Sequence, residues 1–428
     1  MAQPADGAAA ETPGSATQDP FAFHGQTTFT VQTTPGFASP YLGTNSLKPH
    51  QTRETFDATW FIGARLWQGA ELWGNPEVDQ GFGLSDTVGV AGFPSGEAYK
   101  VGKAQPYLRL QRLFIRQTID LGGAAGAVAA GANAFARRET ANRLVITLGK
   151  ISVPDIFDTN TYAHDPRADF FNWTVIDTGT FDYAADSWGY TYGAAAEWYQ
   201  ADWTLRGGFF ALSAVPNSET LDSSFAQYQI DGEIEHRHKL GGRPGAIRVT
   251  LFRNRGRFEH LADAIAIYDA TGTIPDPATL RRPTTRWGGQ INAEQEITDA
   301  LGLFVRAGLA GGSIEADEFT DIDRTLAFGG KLSGDGWGRK ADAIGLAFVD
   351  NAISRQRRMF LADGGLGILV GDGRLPAYGD EHILEAFYDW QVIGHVNLTA
   401  DYQFIANPAY NPQRGPVNVF GLRLHAAI

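Results

Sequence analysis

Cysteine is absent from this chain of 428 residues. Its absence excludes disulfide scaffolds, cysteine-ligated zinc and iron–sulfur centres, and thiol catalysis. Charged residues are also scarce, at 19% of the chain, against roughly 25% in an average soluble domain. The net charge is −13, which argues against a nucleic-acid-binding surface, because such a surface needs clustered Lys and Arg.

Long apolar runs are missing as well. No stretch of about eighteen apolar residues occurs, so a bundle of membrane-spanning helices is excluded. The chain is instead rich in glycine, with 51 residues, and in aromatic side chains, at 12% of positions. Its mean hydropathy is −0.21. A chain of 428 residues allows several ordinary domains or one large one.

Residues 1–20 are mostly Ala, Gly, Pro, Thr and Ser, with a few acidic residues. A segment with so little apolar bulk does not fold by itself, so we expect a disordered tail. It has neither the basic nor the apolar part of a secretory signal. Its start, Ala2-Gln3-Pro4, resembles the new end left by signal cleavage, and we expect that a signal peptide was removed and Met1 added.

From residue 21 onward, apolar and polar residues alternate with a period of two. In residues 227–238 the mostly apolar parity is Tyr228, Ile230, Gly232, Ile234 and His236, and the polar parity is Gln227, Gln229, Asp231, Glu233, Glu235 and Arg237. The same alternation places Trp188, Tyr190, Tyr192, Ala194 and Trp198 on one apolar parity. These segments predict strands with one apolar and one polar face, each about ten to twelve residues long. The usual strand length in globular proteins is about five or six residues.

The connections between the strands alternate between short and long. We expect short turns at 200–202, 240–245, 298–301, 334–340 and 393–395, and long connections at 215–225, 257–285, 314–324, 350–381 and 407–415. Toward the N-terminus the same rule gives long loops at 35–52, 75–105 and 152–187, and inner connections at 67–69 and 122–142. Tight turns at one end and long loops at the other are typical of outer-membrane barrels. We therefore predict an all-β fold, a transmembrane antiparallel β-barrel of about sixteen strands, in which residues 21–428 form a single domain.

The last segment indicates which parity faces outward. Phe420, Leu422, Leu424, Ala426 and Ile428 share one parity, and Gly421, Arg423 and His425 share the other. An alternating strand that runs to the last residue suits the strand that closes a barrel. We expect the apolar parity to face lipid and the polar parity to face the lumen. A soluble β-sandwich with the apolar parity in its core is the alternative fold.

One strand, residues 107–121, changes parity along its length. Its leucines and isoleucines stand at even positions up to 110 and at odd positions from 113. We infer a β-bulge near Gln111 and Arg112. Arg109 takes the polar parity before the bulge, and Arg112 and Arg116 face the lumen after it.

Several motifs follow one another in a recognisable order over the chain. The first are Trp67 to Trp73, with the sequence WQGAELW, and Asn75-Pro76-Glu77. Next come Leu148-Gly149-Lys150, then Phe157 to Arg167, with the sequence FDTNTYAHDPR, and Phe170-Phe171-Asn172-Trp173. The last are Gly364 to Gly367, Gly371-Asp372-Gly373, Asp401 to Ile405, Asn407-Pro408, Tyr410-Asn411 and Arg414 to Val417. Together they resemble the carbohydrate-selective, OprB-type porin family of Gram-negative outer membranes.

The resemblance implies a monomeric outer-membrane porin for passive uptake of mono- or small oligosaccharides, without a cofactor. Its implied partners are the carbohydrate and outer-membrane lipid or lipopolysaccharide, with no nucleic acid. It also implies loops folded inward to narrow the pore, and a long polar loop with aromatic residues gains packing partners by folding into the lumen. The third outer loop, 152–187, is such a loop, and its candidate residues are Asp158, Asn160, Tyr162, His164, Asp165, Arg167 and Trp173.

A sugar that enters a constriction gives up hydrogen bonds to water, so the wall must offer donors and acceptors in comparable number. Aromatic rings can also stack on the apolar face of a sugar ring. The wall candidates are Trp67, Glu71, Trp73, Arg109, Arg112, Arg116, Glu233, Glu235 and Arg248. A general diffusion porin or a sugar-acid channel is the alternative function, and a secreted glycan-binding β-sandwich is a more distant one.

The sequence offers no strong catalytic or metal site, so we expect no enzyme activity. His236 and His238 share a parity that can bind metal, but that parity faces lipid near an inner turn. Ser213 and His238 belong to different strands at unlike depths, and no motif of an outer-membrane lipase accompanies them. The glycine-rich runs 122–131 and 364–373 lack the strand-to-helix setting of a phosphate loop.

Overall fold

The computed structural model describes residues 19–98 and 102–428. The strands in this part of the chain are β1 (Phe21–Thr34), β2 (Gln51–Trp67), β3 (Ala70–Gly81), β4 (Lys103–Asp120), β5 (Ala125–Val128), β6 (Arg137–Thr140), β7 (Arg143–Ile151), β8 (Thr191–Gln200), β9 (Trp203–Ala211), β10 (Tyr228–Leu240), β11 (Arg243–Phe258), β12 (Arg282–Glu296), β13 (Leu301–Ala310), β14 (Arg324–Gly334), β15 (Arg339–Ala352), β16 (Glu381–Ile393), β17 (Val396–Ala406) and β18 (Val417–Ala427). Three α-helices lie in the connections, α1 (Trp173–Ile176), α2 (Leu261–Thr271) and α3 (Arg355–Ala362). Residues 1–18 of the predicted tail lie outside the described residues.

Sixteen of these strands form one closed antiparallel barrel, and β5 and β6 form a separate hairpin. The barrel closes where β1 pairs with β18, from Gln26 opposite Ala427 to Thr33 opposite Phe420. Closure leaves no strand edge with unpaired backbone groups, as a lipid environment requires. The predicted sixteen-strand barrel is confirmed, and the sandwich alternative is wrong because these strands form a single closed sheet. In the described part of the chain, no helix has the length and apolar character needed to cross a membrane.

The two parities of each strand face opposite sides of the barrel. On β10, Ile230 and Ile234 are exposed on the outer surface, whereas Glu233 and Glu235 are buried inside. The apolar parity therefore forms the lipid-facing belt and the polar parity lines the interior, as predicted.

The parity switch of β4 arises from a bulge at the predicted place. Asn75 pairs with Arg112, whereas the next residue, Pro76, pairs with Leu110, so Gln111 is an extra residue. An extra residue re-aims the side chains that follow it. Arg112 consequently points into the lumen, toward the third loop.

Long loops leave one end of the barrel and short turns the other. The long connections are 35–50, 82–102, 152–190, 212–227, 259–281, 311–323, 353–380 and 407–416, and the inner ones are 68–69, 121–142, 201–202, 241–242, 297–300, 335–338 and 394–395. Most boundaries agree with the prediction to within a few residues, and two of the differences affect the site. β3 continues to Gly81, and the third loop extends to residue 190, so Trp188 and Tyr190 belong to this loop and not to the lipid-facing parity of β8.

Candidate pore constriction

The third loop, residues 152–190, crosses the lumen. Near its start, the backbone amide of Asp158 donates to Glu233 of β10 at 2.9 Å. Farther along, the guanidinium of Arg423 on β18 donates to the carbonyl of Pro166 at 2.5 Å. Strands β10 and β18 stand half-way round the barrel from each other. The loop therefore spans the interior from wall to wall.

Asp158 and Asn160 anchor this loop to the wall. The Asp158 carboxylate accepts from the amide of Thr178 at 2.7 Å and from the side chain of Asn292 at 2.8 Å, and it lies 3.5 Å from Arg306. Asn160 donates to Asn292 at 2.8 Å. Both side chains are buried in these contacts. The sequence predicted them as solute contacts, but the structure places them in the anchor and not on a cavity surface.

Beyond the anchor, the loop borders a half-open cavity of about 270 Å³, together with the second loop and β4. This volume is many times the ~10–15 Å³ that one water needs, so the cavity has room for a small solute. Its lining combines two guanidinium groups, four carboxylates, one imidazole and four tryptophan or tyrosine rings. Of the residues predicted from sequence, the lining includes Arg112, His164, Asp165, Arg167 and Trp173.

The two cavity arginines are each held by carboxylates. Arg112 donates from two nitrogens to Asp155, at 2.7 and 2.6 Å. This bidentate pair fixes the direction of the guanidinium. Arg167 lies 3.3 to 3.5 Å from three carboxylates on β2, β3 and the second loop, those of Asp57, Glu77 and Glu97. The cavity therefore presents oriented donors and acceptors side by side.

Aromatic rings complete the cavity wall. Trp173 stacks on Phe93 of the second loop, with ring centroids 5.1 Å apart and planes 15° apart. The guanidinium of Arg109 lies 3.3 Å from the ring centroid of Trp188, and Arg112 lies 5.0 Å from that of Tyr190. Arg109 thus supports a cavity residue through a cation–π contact.

Asp177 and His164 face each other across a gap in the lining. Asp177 Oδ1 and His164 Nδ1 are 4.0 Å apart, and neither atom has a hydrogen-bond partner. Burial raises the pKa of Asp177 to about 7, with a further contribution from the Asp158 carboxylate and an opposing one from His164. A buried polar atom without a partner costs about 1–3 kcal/mol, so both groups favour an incoming hydroxyl or water between them.

Tyr162 and Arg248 line a second cavity, of about 790 Å³, nearer the inner turns. Arg248 donates to Glu235 at 2.9 Å, and Arg206 contacts both Glu233 and Glu235, at 2.6 and 3.0 Å. These wall groups form a network of ion pairs beside this second cavity. The negative charges of Glu233 and Glu235 are therefore balanced by the positive charges of Arg206 and Arg248.

The connection between β4 and β7, residues 121–142, folds back into the barrel from the inner end. Its Phe135 ring lies 5.0 Å from that of Trp73, and Trp73 has no exposed surface. Trp67 lies at the inner rim, where its Nε1 donates to Gln117 at 2.7 Å and 62% of the residue is exposed. The two tryptophans were predicted as stacking surfaces in the sugar path, and the structure places one under Phe135 and the other on the rim.

The same connection contacts two further predicted site residues. Arg116 donates to the carbonyl of Asn133 at 2.8 Å, and Asn133 exchanges side-chain hydrogen bonds with Asn75. Glu71 lies 3.8 Å from Arg137. Arg116 and Glu71 thus hold the inner connection in place instead of lining the third-loop cavity.

Sequence reasoning missed other residues of the third-loop cavity, among them Glu97, Asp155, Asp177, Tyr183, Trp188 and Tyr190. The two at 188 and 190 continued the alternation of the next strand and were assigned to the lipid face. Gly189 between them takes a φ of +94°, a conformation that interrupts an extended strand and that glycine adopts without strain. This glycine is the signal that marks the end of the loop. Among the described residues, no group of three or more His, Cys, Asp or Glu could hold a metal ion.

A closed sixteen-strand barrel with an outer loop folded across its lumen defines a porin of the Gram-negative outer membrane. The model of the carbohydrate-selective porin family, OprB, matches residues 44–427, and the chain belongs to that family. It is an outer-membrane porin that passes carbohydrates.

Two solved structures show the same fold. The high-pH structure of Pseudomonas putida OprB is 15% identical, covers 96% of this chain and 94% of its own, and has a TM-score of 0.70. The outer-membrane channel DcaP of Acinetobacter baumannii is 10% identical, covers 95% of this chain and 97% of its own, and has a TM-score of 0.51. At these identities the likeness shows the fold alone. Among curated protein sequences, none matches the chain.

Proposed function

We propose that neutral sugars pass through the third-loop cavity one ring at a time and exchange hydrogen bonds with its charged side chains. The observation that carries this proposal is the cavity itself, about 270 Å³ in volume and lined by both carboxylates and guanidinium groups beside aromatic rings. Hydroxyl groups find acceptors on Asp177 and Asp165 and donors on Arg112 and Arg167. The Trp173 ring offers a face for the apolar side of a pyranose.

The charge of the lining favours neutral sugars over sugar acids. Four carboxylates stand against two guanidinium groups and one histidine. The carboxylates of the lining would therefore repel the negative charge of a sugar acid at close range, where the dielectric screening is weaker than in water.

The proposal extends to the whole molecule. Residues 21–428 act as one porin domain behind a tail of residues 1–20, and a single chain suffices because the lumen and its constriction come from one copy. The chain works as a passive channel without enzyme activity, surrounded by outer-membrane lipid.

Liposome swelling with neutral sugars, sugar acids and size-matched amino acids tests this function. We expect neutral sugars to enter faster than the other two classes at equal size. Asp165→Asn removes an ionised carboxylate from the cavity lining, and we expect it to narrow this preference. The control is Asp299→Asn, which removes a charge from a strongly exposed turn residue and should change nothing. Rates that depend only on solute size would contradict the proposal.

A further inference from the structure

Three arginines follow one another on the outer surface of β11 at its extracellular end. Arg253, Arg255 and Arg257 share the parity of Leu251, which is exposed on the lipid-facing belt. Phe252 and the even positions that follow it point inward and are buried. Alternate residues of an antiparallel strand lie about 6.8 Å apart. The three guanidinium groups, termed here the Arg column, therefore extend over about 14 Å along the barrel wall.

The Arg column begins at the outer boundary of the apolar belt. Arg253 pairs across the strands with Trp287 of β12, an exposed residue whose ring centroid lies 5.4 Å from the guanidinium. Arg253 also donates to the hydroxyl of Tyr228 at 3.4 Å, and Tyr228 pairs with Arg255. Exposed Trp and Tyr side chains mark the membrane–water interface of a barrel. Arg255 and Arg257 consequently stand at the level of the outer-leaflet headgroups.

No described acidic residue forms an ion pair with any arginine of the Arg column. The cross-strand neighbours Thr285 and Pro283 carry no charge. By contrast, Arg324 at the outer end of β14 pairs with Asp380 at 3.2 Å. The column is a concentrated positive site on a chain whose net charge is −13.

We propose that the Arg column binds the phosphate groups of a phosphorylated glycolipid in the outer leaflet. Guanidinium groups bind phosphate oxygens through two parallel hydrogen bonds, and the column is long enough to contact more than one phosphate of a headgroup. The apolar side chains of Leu251 and Val249 below it would contact the acyl chains. This contact holds one lipid against an acidic protein that the anionic leaflet would otherwise repel.

Lipid titration of the purified protein in neutral detergent, followed by native mass spectrometry, tests the proposal. The probes are bisphosphorylated lipid A and the same lipid without phosphates. We expect the triple variant R253Q/R255Q/R257Q to bind bisphosphorylated lipid A at least about tenfold more weakly than the unmodified protein, the effect of about 1.4 kcal/mol. The dephosphorylated lipid should bind the unmodified protein as weakly as the triple variant binds the phosphorylated one.

The matched control is R138Q/R339Q/K340Q, which removes the same charge from the inner end and should bind like the unmodified protein. The side chain of Arg255 makes no hydrogen bond to a described residue, so the single variant R255Q should fold even if the triple variant does not. We expect R255Q to bind the phosphorylated lipid about threefold more weakly. Equal binding by R255Q and the unmodified protein would overturn the proposal. So would equal affinity for the dephosphorylated lipid, or displacement of the lipid by an equal concentration of inorganic phosphate.

Discussion

Single side chains at the constriction determine its charge. Asp177 is buried between loop and wall, and the groups that face it are His164, Asp158, Arg306 and Asp155. In the same cavity, burial would raise the pKa of Asp155, but the guanidinium of Arg112 holds it below its usual value. Asp155 therefore stays ionised near neutral pH, while Asp177 changes its charge there.

The first prediction concerns the pH dependence of ion selectivity. The pKa of Asp177 is about 7, so this carboxyl is neutral at about pH 5.5 and ionised at about pH 8.5. We expect the preference for cations, measured from reversal potentials in a salt gradient, to increase as the pH rises through 7. Asp177→Asn should make this step smaller. A step of the same size in the variant would assign it to another group.

The second prediction separates the tryptophan in the cavity from the one on the rim. Trp173→Ala removes a stacking surface of the sugar cavity, and an aromatic contact of this kind contributes about 0.5–1.5 kcal/mol. We expect sugar to block the ion current with up to about tenfold lower affinity in this variant. Trp67→Ala, at the inner rim, should leave the block unchanged. The opposite order of effects would favour the assignment made from sequence alone.

At the scale of whole elements, the third loop and the inner connection set the shape of the lumen. Alternation and connection length predict the strands, their faces and the β4 bulge, because each depends on neighbouring residues only. They do not predict that Phe135 covers Trp73 or that Asp158 is an anchor, because these contacts join distant segments. Trp188 shows the same limit, since its parity continues that of β8 although the strand begins at residue 191.

The third prediction tests the loop anchor. Asp158→Ala removes the acceptor for Thr178 and Asn292 and leaves the buried Arg306 without its carboxylate. Losing one partner of a buried charged pair typically costs about 3–5 kcal/mol. We expect a barrel that still assembles but has a larger and noisier single-channel conductance. Asp299→Ala, in an exposed turn, is the control, and equal conductance in the two variants would show that Asp158 does not hold the loop.

Over the whole molecule, the barrel wall separates the apolar residues from the charged ones. The apolar parity forms the belt, the carboxylates and guanidinium groups are collected in the lumen and loops, and β1 and β18 close the sheet. The sequence predicts this architecture because alternation with a period of two encodes it directly. It does not specify the size of the cavity, which depends on where the third loop crosses.

The fourth prediction follows from barrel closure. A closed hydrogen-bonded sheet resists detergent at room temperature, because opening it exposes many backbone groups at once. On gels containing dodecyl sulfate, the unheated protein should migrate faster than the boiled protein. Identical migration before and after boiling would contradict a closed barrel.

The central claim is that sugars bind in the third-loop cavity as they cross the membrane. Its most direct test is the ion current through single channels in a planar bilayer while a neutral sugar is added. We predict a saturable decrease of the current, weakened in Trp173→Ala and unchanged in Trp67→Ala. A current that falls only in proportion to the viscosity of the sugar solution, equally in all three proteins, would contradict the account.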